Sequence, residues 1–302
     1  MKKIALISLL LTLGCGSSFD EEPIPLATDD PSQEQQEQQE EQAEEEPRGP
    51  RTYTGPIGGD RPVDPVFPDN YDPEGNHPLL IQLHGYGSNA AQTELFFLTH
   101  NGANQRGFVT LTPEGTMNQS GDRFWNLFLH TGVDDLGYLT GLIDEAVERY
   151  AVDPDRVYLL GLSNGGFMSH LIACERGDLI RGIVSFNGSS YLDAADCPAE
   201  NPVQVIHVHS TLDAVVPYYG DARMPSAQTI TERWADFNGC DPEPTVGPRL
   251  DLTSSVAGDE TTTQIWDDCI DDRNVELWSI QGGTHVPFPL TNFPELMFDA
   301  LR

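Results

Sequence analysis

The pentapeptide Gly161-Leu162-Ser163-Asn164-Gly165 reads G-x-S-x-G, a spacing at which serine can act as a nucleophile. A serine held on a tight strand-to-helix turn carries strained backbone angles, and only small residues two before and two after it let the chains pass. Gly161 and Gly165 supply those gaps. Upstream, residues 156–160 (RVYLL) have the β-branched and aromatic character of a buried parallel strand. Downstream, Phe167, Met168, Leu171 and Ile172 recur at helical spacing.

A serine hydroxyl needs a base, and the base needs an acid to orient it. In this arrangement both follow the serine, acid first, each on a loop after a strand. Residues 203–208 (VQVIHV) read as a strand and lead through His209, Ser210, Thr211 and Leu212 to Asp213, in a loop closed by Val216 and Pro217. Residues 275–280 (VELWSI) run into Gly282, Gly283, Thr284 and His285, with Pro287 and Pro289 ending regular structure beyond. His285 would then accept the Ser163 proton, while Asp213 holds the imidazole tautomer and stabilises the imidazolium. Acyl transfer also needs donors aimed at the developing oxyanion. His84-Gly85-Tyr86-Gly87 follows the apolar run 79–83. The expected donors are the Asn164 N–H and one from this H-G-Y-G turn, Tyr86 preferred over Gly87. Tyr86, Phe124 and Trp125 are candidates to line a substrate pocket, Trp125 first among them, with core packing as the competing reading.

The elements that must position these groups are legible as strand-like runs at 79–83, 108–111, 156–160, 183–186, 203–208 and 275–280, alternating with helical patterns. Such alternation predicts an α/β domain with a mostly parallel, doubly wound sheet flanked by helices. Leu139, Leu142, Ile143, Ala146, Val147 and Tyr150 fall on one helical face, with Asp134 or Asp135 as its cap, so Asp135 reads as structural. About 250 residues suffice for one full core, and no internal repeat is visible.

With these residues in place, the chain resembles the secreted polyhydroxybutyrate depolymerase-like esterases, a branch of the α/β-hydrolases that includes feruloyl and acetylxylan esterases. The matching segments are LLIQLHGYGSN at 79–89, RFWN at 123–126, VDDLGYL at 133–139, YAVDPDRVYLLGLSNGGFMSHLIACE at 150–175 and GGTHVPFP at 282–289. Two positions depart from the family's pattern. Ser210 stands in HSTLD where glycine is usual, and Val286 and Pro287 stand near where a tryptophan often follows the histidine. The resemblance implies the α/β-hydrolase fold and hydrolase chemistry.

The amino terminus has a different character. Lys2 and Lys3 precede an apolar run, 4–13, too short to span a bilayer, which reads as an export signal over residues 1–14. Thr12-Leu13-Gly14-Cys15 resembles a lipoprotein cleavage box, with Cys15 lipidated as the new first residue and Gly16 behind it favouring the outer membrane. Two or three acyl chains, at roughly 0.8 kcal/mol per buried CH₂, would anchor the chain stably. Residues 15–52 form a Gln/Glu-rich stretch expected to be a disordered tether, with 12 acidic residues between Asp20 and Glu46 and no basic one. As a flexible coil it would span on the order of 35 Å, and self-repulsion would extend it. The catalytic domain is expected over 53–302.

The whole chain carries 48 acidic and 16 basic residues, a net charge of −32, and every basic residue after Lys3 is arginine. That balance argues against nucleic-acid binding. It fits either a saline habitat or a solubilising surface. Beyond Cys15 the chain has Cys174, Cys197, Cys240 and Cys269, which allow three pairings. The sequence-local pairs are Cys174 with Cys197 and Cys240 with Cys269, and the family resemblance favours them. His207 and His209 alternate along a presumed buried strand without a carboxylate or cysteine cluster, so neither a metal nor a cofactor is expected.

Together these readings point to an exported, lipid-anchored, monomeric serine esterase working through an acyl-enzyme. Its substrates would be feruloyl or acetyl esters of polysaccharide, or hydroxyalkanoate oligomers. The alternatives are a serine peptidase of the same fold and an inactive hydrolase-fold binding lipoprotein.

Overall fold

A computed structural model describes residues 51–128 and 132–301, all within a compact unit, Gly49–Arg302. The export signal, Cys15 and residues 15–50 of the tether lie outside the described residues. Arg51 already belongs to the folded unit, its N–H bonded to the Pro73 carbonyl and its guanidinium to the carbonyls of Tyr150 and Val152.

The six runs read as strands are strands: β1 (His77–Leu83), β2 (Val109–Leu111), β5 (Val152–Leu162), β6 (Gly182–Phe186), β7 (Gln204–Ser210) and β10 (Val275–Ile280). A short hairpin, β3 (Thr116–Met117) and β4 (Arg123–Phe124), stands apart. Two further strands, β8 (Thr245–Val246) and β9 (Thr261–Trp266), complete an eight-stranded sheet of order β2-β1-β5-β6-β7-β10-β9-β8, in which β9 alone runs against the others. These two were not legible because 261–266 (TTTQIW) is only half buried and 245–246 is exposed.

The central strands are buried on both faces, so their side chains alternate between two cores. On one face Leu79, Ile81, Leu159, Val205 and Leu277 pack against α3 (Asp135–Arg149), α4 (Asn164–Arg176) and α5 (Ala227–Phe237). On the other, Leu80, Leu160, Val184, Ile206 and Trp278 pack against α1 (Ala90–Phe97), α2 (His100–Gln105) and α6 (Phe293–Ala300). Asp134 caps α3, accepting from the Gly137 N–H. Asp135 is structural as expected: buried, it accepts from Arg61 at 2.5 Å, the Thr116 hydroxyl at 2.9 Å and the Asn126 N–H at 2.7 Å.

Strand order changes direction at β1, since the chain moves outward to β2 and returns to β5 on the other side. In open α/β sheets the crevice at such a switch point, beyond the carboxyl ends of the strands, is where ligands bind. Leu83 is paired with Gly161, Leu162 with Phe186, Phe186 with Val208, and Ser210 with Ile280. That register aligns the strand ends, so the loops carrying His84, Ser163, Asn187, Asp213 and His285 leave from one edge.

Candidate active site

Ser163 sits between β5 and α4 at φ 52°, ψ −116°. The glycine logic of the pentapeptide is realised in contacts. A Cβ on Gly161 would collide with the Gly165 carbonyl, and one on Gly165 would collide with the Leu83 carbonyl. The Ser163 N–H bonds the Phe186 carbonyl at 2.8 Å, and its carbonyl receives the Phe167 N–H at 3.0 Å, which fixes the turn from both sides.

The tertiary fold brings Asp213 and His285 to this serine across 50 and 122 residues of sequence. His285 Nε2 lies 2.9 Å from Ser163 Oγ, and His285 Nδ1 lies 2.7 Å from Asp213 Oδ2. Asp213 Oδ2 accepts from Nδ1–H, so Nε2 keeps its lone pair for the serine proton. Asp213 Oδ1 accepts the N–H groups of Val215 and Val216 at 2.8 and 2.9 Å. Burial alone would raise the pKa of this carboxyl, but donors from His209, His285, Val216 and Val215 outweigh it and hold the group well below the usual carboxylate range. The acid and histidine loops are tied directly, Leu212 N–H to the Gly283 carbonyl and Thr211 N–H to the Ile280 carbonyl, each at 3.0 Å.

Asn187, which sequence reasoning passed over, is the strut of this assembly. Buried at positive φ (47°), it donates to the His285 carbonyl at 2.7 Å and to Ser210 Oγ at 3.2 Å, while its Oδ1 accepts the Ser210 N–H at 2.7 Å. The family's usual glycine at 210 would lack the hydroxyl partner. The visible signal was the Asn-Gly pair directly after a strand.

The H-G-Y-G turn, expected to give the second oxyanion donor, lies against the serine, a Cβ on Gly85 coming within 3.5 Å of the Ser163 Cβ. His84 is buried and acts as a brace: its Nδ1–H donates to the Gly85 carbonyl at 2.8 Å and its Nε2 accepts the Gly115 N–H at 2.9 Å. Burial pushes its pKa down, which keeps it neutral. The Gly87 N–H is engaged by the Arg123 carbonyl at 2.7 Å, which leaves Tyr86 as the candidate donor of this turn. The Asn164 side chain pairs both ways with the Trp125 backbone, accepting its N–H at 2.6 Å and donating to its carbonyl at 3.1 Å.

Trp125 corrects the pocket expectation. It is 1% exposed, with its indole N–H donated to the His84 carbonyl at 3.0 Å, so it supports the H-G-Y-G turn from the core. Its neighbours face open space instead. A cavity of about 280 Å³ is lined by Leu127, Phe128, Phe167, Tyr191 and Leu192, and Phe167 is one helical turn from Ser163. On its wall the buried Ser189 hydroxyl has no hydrogen-bond partner. In the sequence Phe167 shows only the helical spacing it shares with Met168, Leu171 and Ile172.

Both local cysteine pairs are disulfides, Cys174–Cys197 and Cys240–Cys269. Among the described residues no group of three or more His, Cys, Asp or Glu side chains could hold a metal, and no helix is long and apolar enough to cross a membrane.

Residues 72–216 match the family model described as "Esterase PHB depolymerase". The chain is 27% identical over 238 residues to feruloyl esterase B of Piromyces equi, covering 74% of this chain and 42% of that protein. It is 31% identical over 163 residues to the bifunctional acetylxylan esterase/xylanase XynS20E of Neocallimastix patriciarum, covering 53% of this chain and 22% of that protein. The chain thus spans less than half the length of either relative. Among solved structures, the acetyl xylan esterase from Aspergillus awamori superposes with a TM-score of 0.61 at 14% identity, over 82% of this chain and 98% of that one. The fold is that of the α/β-hydrolases. Over residues 72–216, which hold its serine turn, the chain is similar to the polyhydroxybutyrate depolymerase-like and feruloyl esterases.

Proposed function

We propose that this protein is a serine carboxylic-ester hydrolase that works through an acyl-enzyme on Ser163. The observation that carries the reading is the continuous relay of 2.9 and 2.7 Å from Ser163 through His285 to Asp213. Ser163 Oγ attacks the ester carbonyl carbon as its proton passes to His285 Nε2, and the carbonyl oxygen becomes an oxyanion facing the N–H groups of Tyr86 and Asn164. The imidazolium, stabilised by Asp213, protonates the departing alcohol as the acyl–serine ester forms. Water then gives a proton to His285 and its oxygen to the acyl carbon, and Ser163 leaves with the proton returned. No metal or cofactor enters this sequence.

Acyl groups on plant polysaccharide, feruloyl or acetyl, and hydroxyalkanoate oligomers are the substrate classes that the family supports. The aromatic cavity beside Phe167, with its unpartnered Ser189 hydroxyl, favours a phenolic acyl group among them. Export fits the two disulfides. We assign residues 1–14 to the signal, Cys15 to a lipid anchor in the cell envelope, 15–50 to the tether and, since Arg51 is already bonded into the fold, 51–302 to the catalytic domain. Monomeric action is part of the same reading.

The test is turnover of p-nitrophenyl acetate, methyl ferulate and hydroxybutyrate oligomers by the full chain beside Ser163→Ala. Loss of kcat on the order of 10⁴-fold or more in the variant is expected. Equal turnover by Ser163→Ala, or no turnover by folded wild type, would overturn the reading, the latter in favour of a binding lipoprotein.

A further inference from the structure

Behind the serine and the acid, three histidines that the relay does not use stand in a line. Trp234 Nε1 on α5 lies 3.2 Å from His170 Nδ1 on α4. His170 Nε2 lies 3.3 Å from His207 Nδ1, and His207 Nε2 lies 3.0 Å from His209 Nδ1, both on β7. His209 Nε2 ends the line 2.9 Å from the Val216 carbonyl and 3.6 Å from Asp213 Oδ2. All three rings are buried, at no more than 1% exposure.

The two ends fix the direction of every bond. Indole N–H can only donate, so His170 Nδ1 is an acceptor and its proton is on Nε2. That proton makes His207 Nδ1 an acceptor, which puts the His207 proton on Nε2 and repeats the step at His209. The Val216 carbonyl can only accept, so the far end demands the same direction. An added proton anywhere would set one N–H against another along a buried line. Tyr218, whose ring packs T-shaped against His209, has its hydroxyl engaged with Ser279; the charged groups that face the line include Asp213 beside His209 and Arg223, which shares a cavity wall with His170.

We propose that His170, His207 and His209 form a one-way tautomer chain that positions the acid of the relay. Its last donor clamps the Val216 carbonyl, while the Val216 N–H clamps Asp213 Oδ1 at 2.9 Å, so the segment 213–216 is held from both ends. With His209 in the other tautomer, a ring lone pair would face both the carbonyl and the carboxylate. The repulsion would turn Asp213 away from His285. These are positioning residues, and the inference rests on the reading of Ser163, His285 and Asp213 given above.

The first measurement is the ring ¹⁵N spectrum of the full chain labelled at histidine. His170, His207 and His209 should carry the proton on Nε2, opposite to His84, whose bonds to Gly85 and Gly115 place it on Nδ1. A proton on Nδ1 of any of the three overturns the chain whether or not the protein turns over esters. The second is His207→Leu, which breaks the line while filling its space. A kcat lower by roughly 10- to 100-fold, with KM within about twofold, is expected. His207→Gln, able to accept from one neighbour and donate to the other, should recover most of the loss. Wild-type kcat in a folded His207→Leu, or Gln falling as far as Leu, overturns the positioning role. Should the leucine variant not fold, the spectrum still decides. Failure of the esterase reading would be seen separately, as Ser163→Ala retaining turnover.

Discussion

Ser163 pays for its exposure with a positive φ that costs roughly 1–3 kcal/mol, and the surrounding glycines are what make that angle tolerable. Gly165→Ala should therefore abolish turnover, because its Cβ would meet the Leu83 carbonyl and the turn could not close. Activity within tenfold of wild type would contradict this. At Asp213 the issue is charge. Its carboxyl is held well below the ordinary carboxylate range, so the stabilisation it gives is present above that range and is lost only as pH falls through it. The Asp213 carboxyl carbon should accordingly report an ionised group throughout pH 5–9. Asp213→Asn should lower kcat by on the order of 10⁴-fold, since an amide can leave His285 in the wrong tautomer. A loss under tenfold would remove Asp213 from the relay.

Among the elements, β7 and α4 carry the strongest pH signature. Complete burial pushes the His170 pKa down to about 3, and His207 is pushed down well below its usual value by burial and by its histidine neighbours. In the unfolded chain both titrate near 6.5. Below about pH 6.5 the unfolded chain binds protons that the folded chain refuses, so stability is complete above that pH and declines as pH falls toward the folded values. The slope is about 1.4 kcal/mol per pH unit for each histidine. Urea midpoints should fall steeply from pH 6.5 to 4.5, and His170→Gln should flatten the fall. An unchanged slope would refute this origin. The Cys174–Cys197 bridge ties the end of α4 to the loop after β6 across 23 residues, a closure worth about 3 kcal/mol in the chain-entropy model. Replacing both cysteines with serine should lower the unfolding free energy by about that amount. A change under 1 kcal/mol would mean the loop is held by packing alone.

For the whole molecule, charge is the dominant global property. After the 12 acidic residues between Asp20 and Glu46, the remaining 36 still face only 14 arginines. Ion pairs such as Arg106 with Glu295 and Asp299 offset little of this excess. Like-charge repulsion opposes the compact state and is screened over about 10 Å at 0.1 M salt. Raising NaCl from 10 mM to 0.5 M should raise Tm by several degrees. A Tm that stays flat or falls would mean that the surface carboxylates are already compensated.

The sequence by itself determined the chemistry and the order of its parts. Gly161 and Gly165 declared the turn because no other residue type avoids the carbonyls there, and burial on both faces made 79–83, 156–160 and 203–208 apolar enough to read as strands. Asp213 and His285 were legible because each follows such a strand. What required tertiary structure was everything that depends on neighbours distant in sequence. Strand register set Ser163 within 2.9 Å of His285, and Asn187 became a strut only because β7 and the histidine loop close around it. Trp125 entered the core and Phe128 the cavity wall for the same reason: hydrophobicity gives the tendency to leave water, whereas the surrounding elements decide which aromatic enters the core and which lines a cavity. The direction of the histidine chain was likewise invisible in VQVIHVHS. It is set by a tryptophan donor on α5 and a carbonyl beyond Asp213, brought to its two ends by packing.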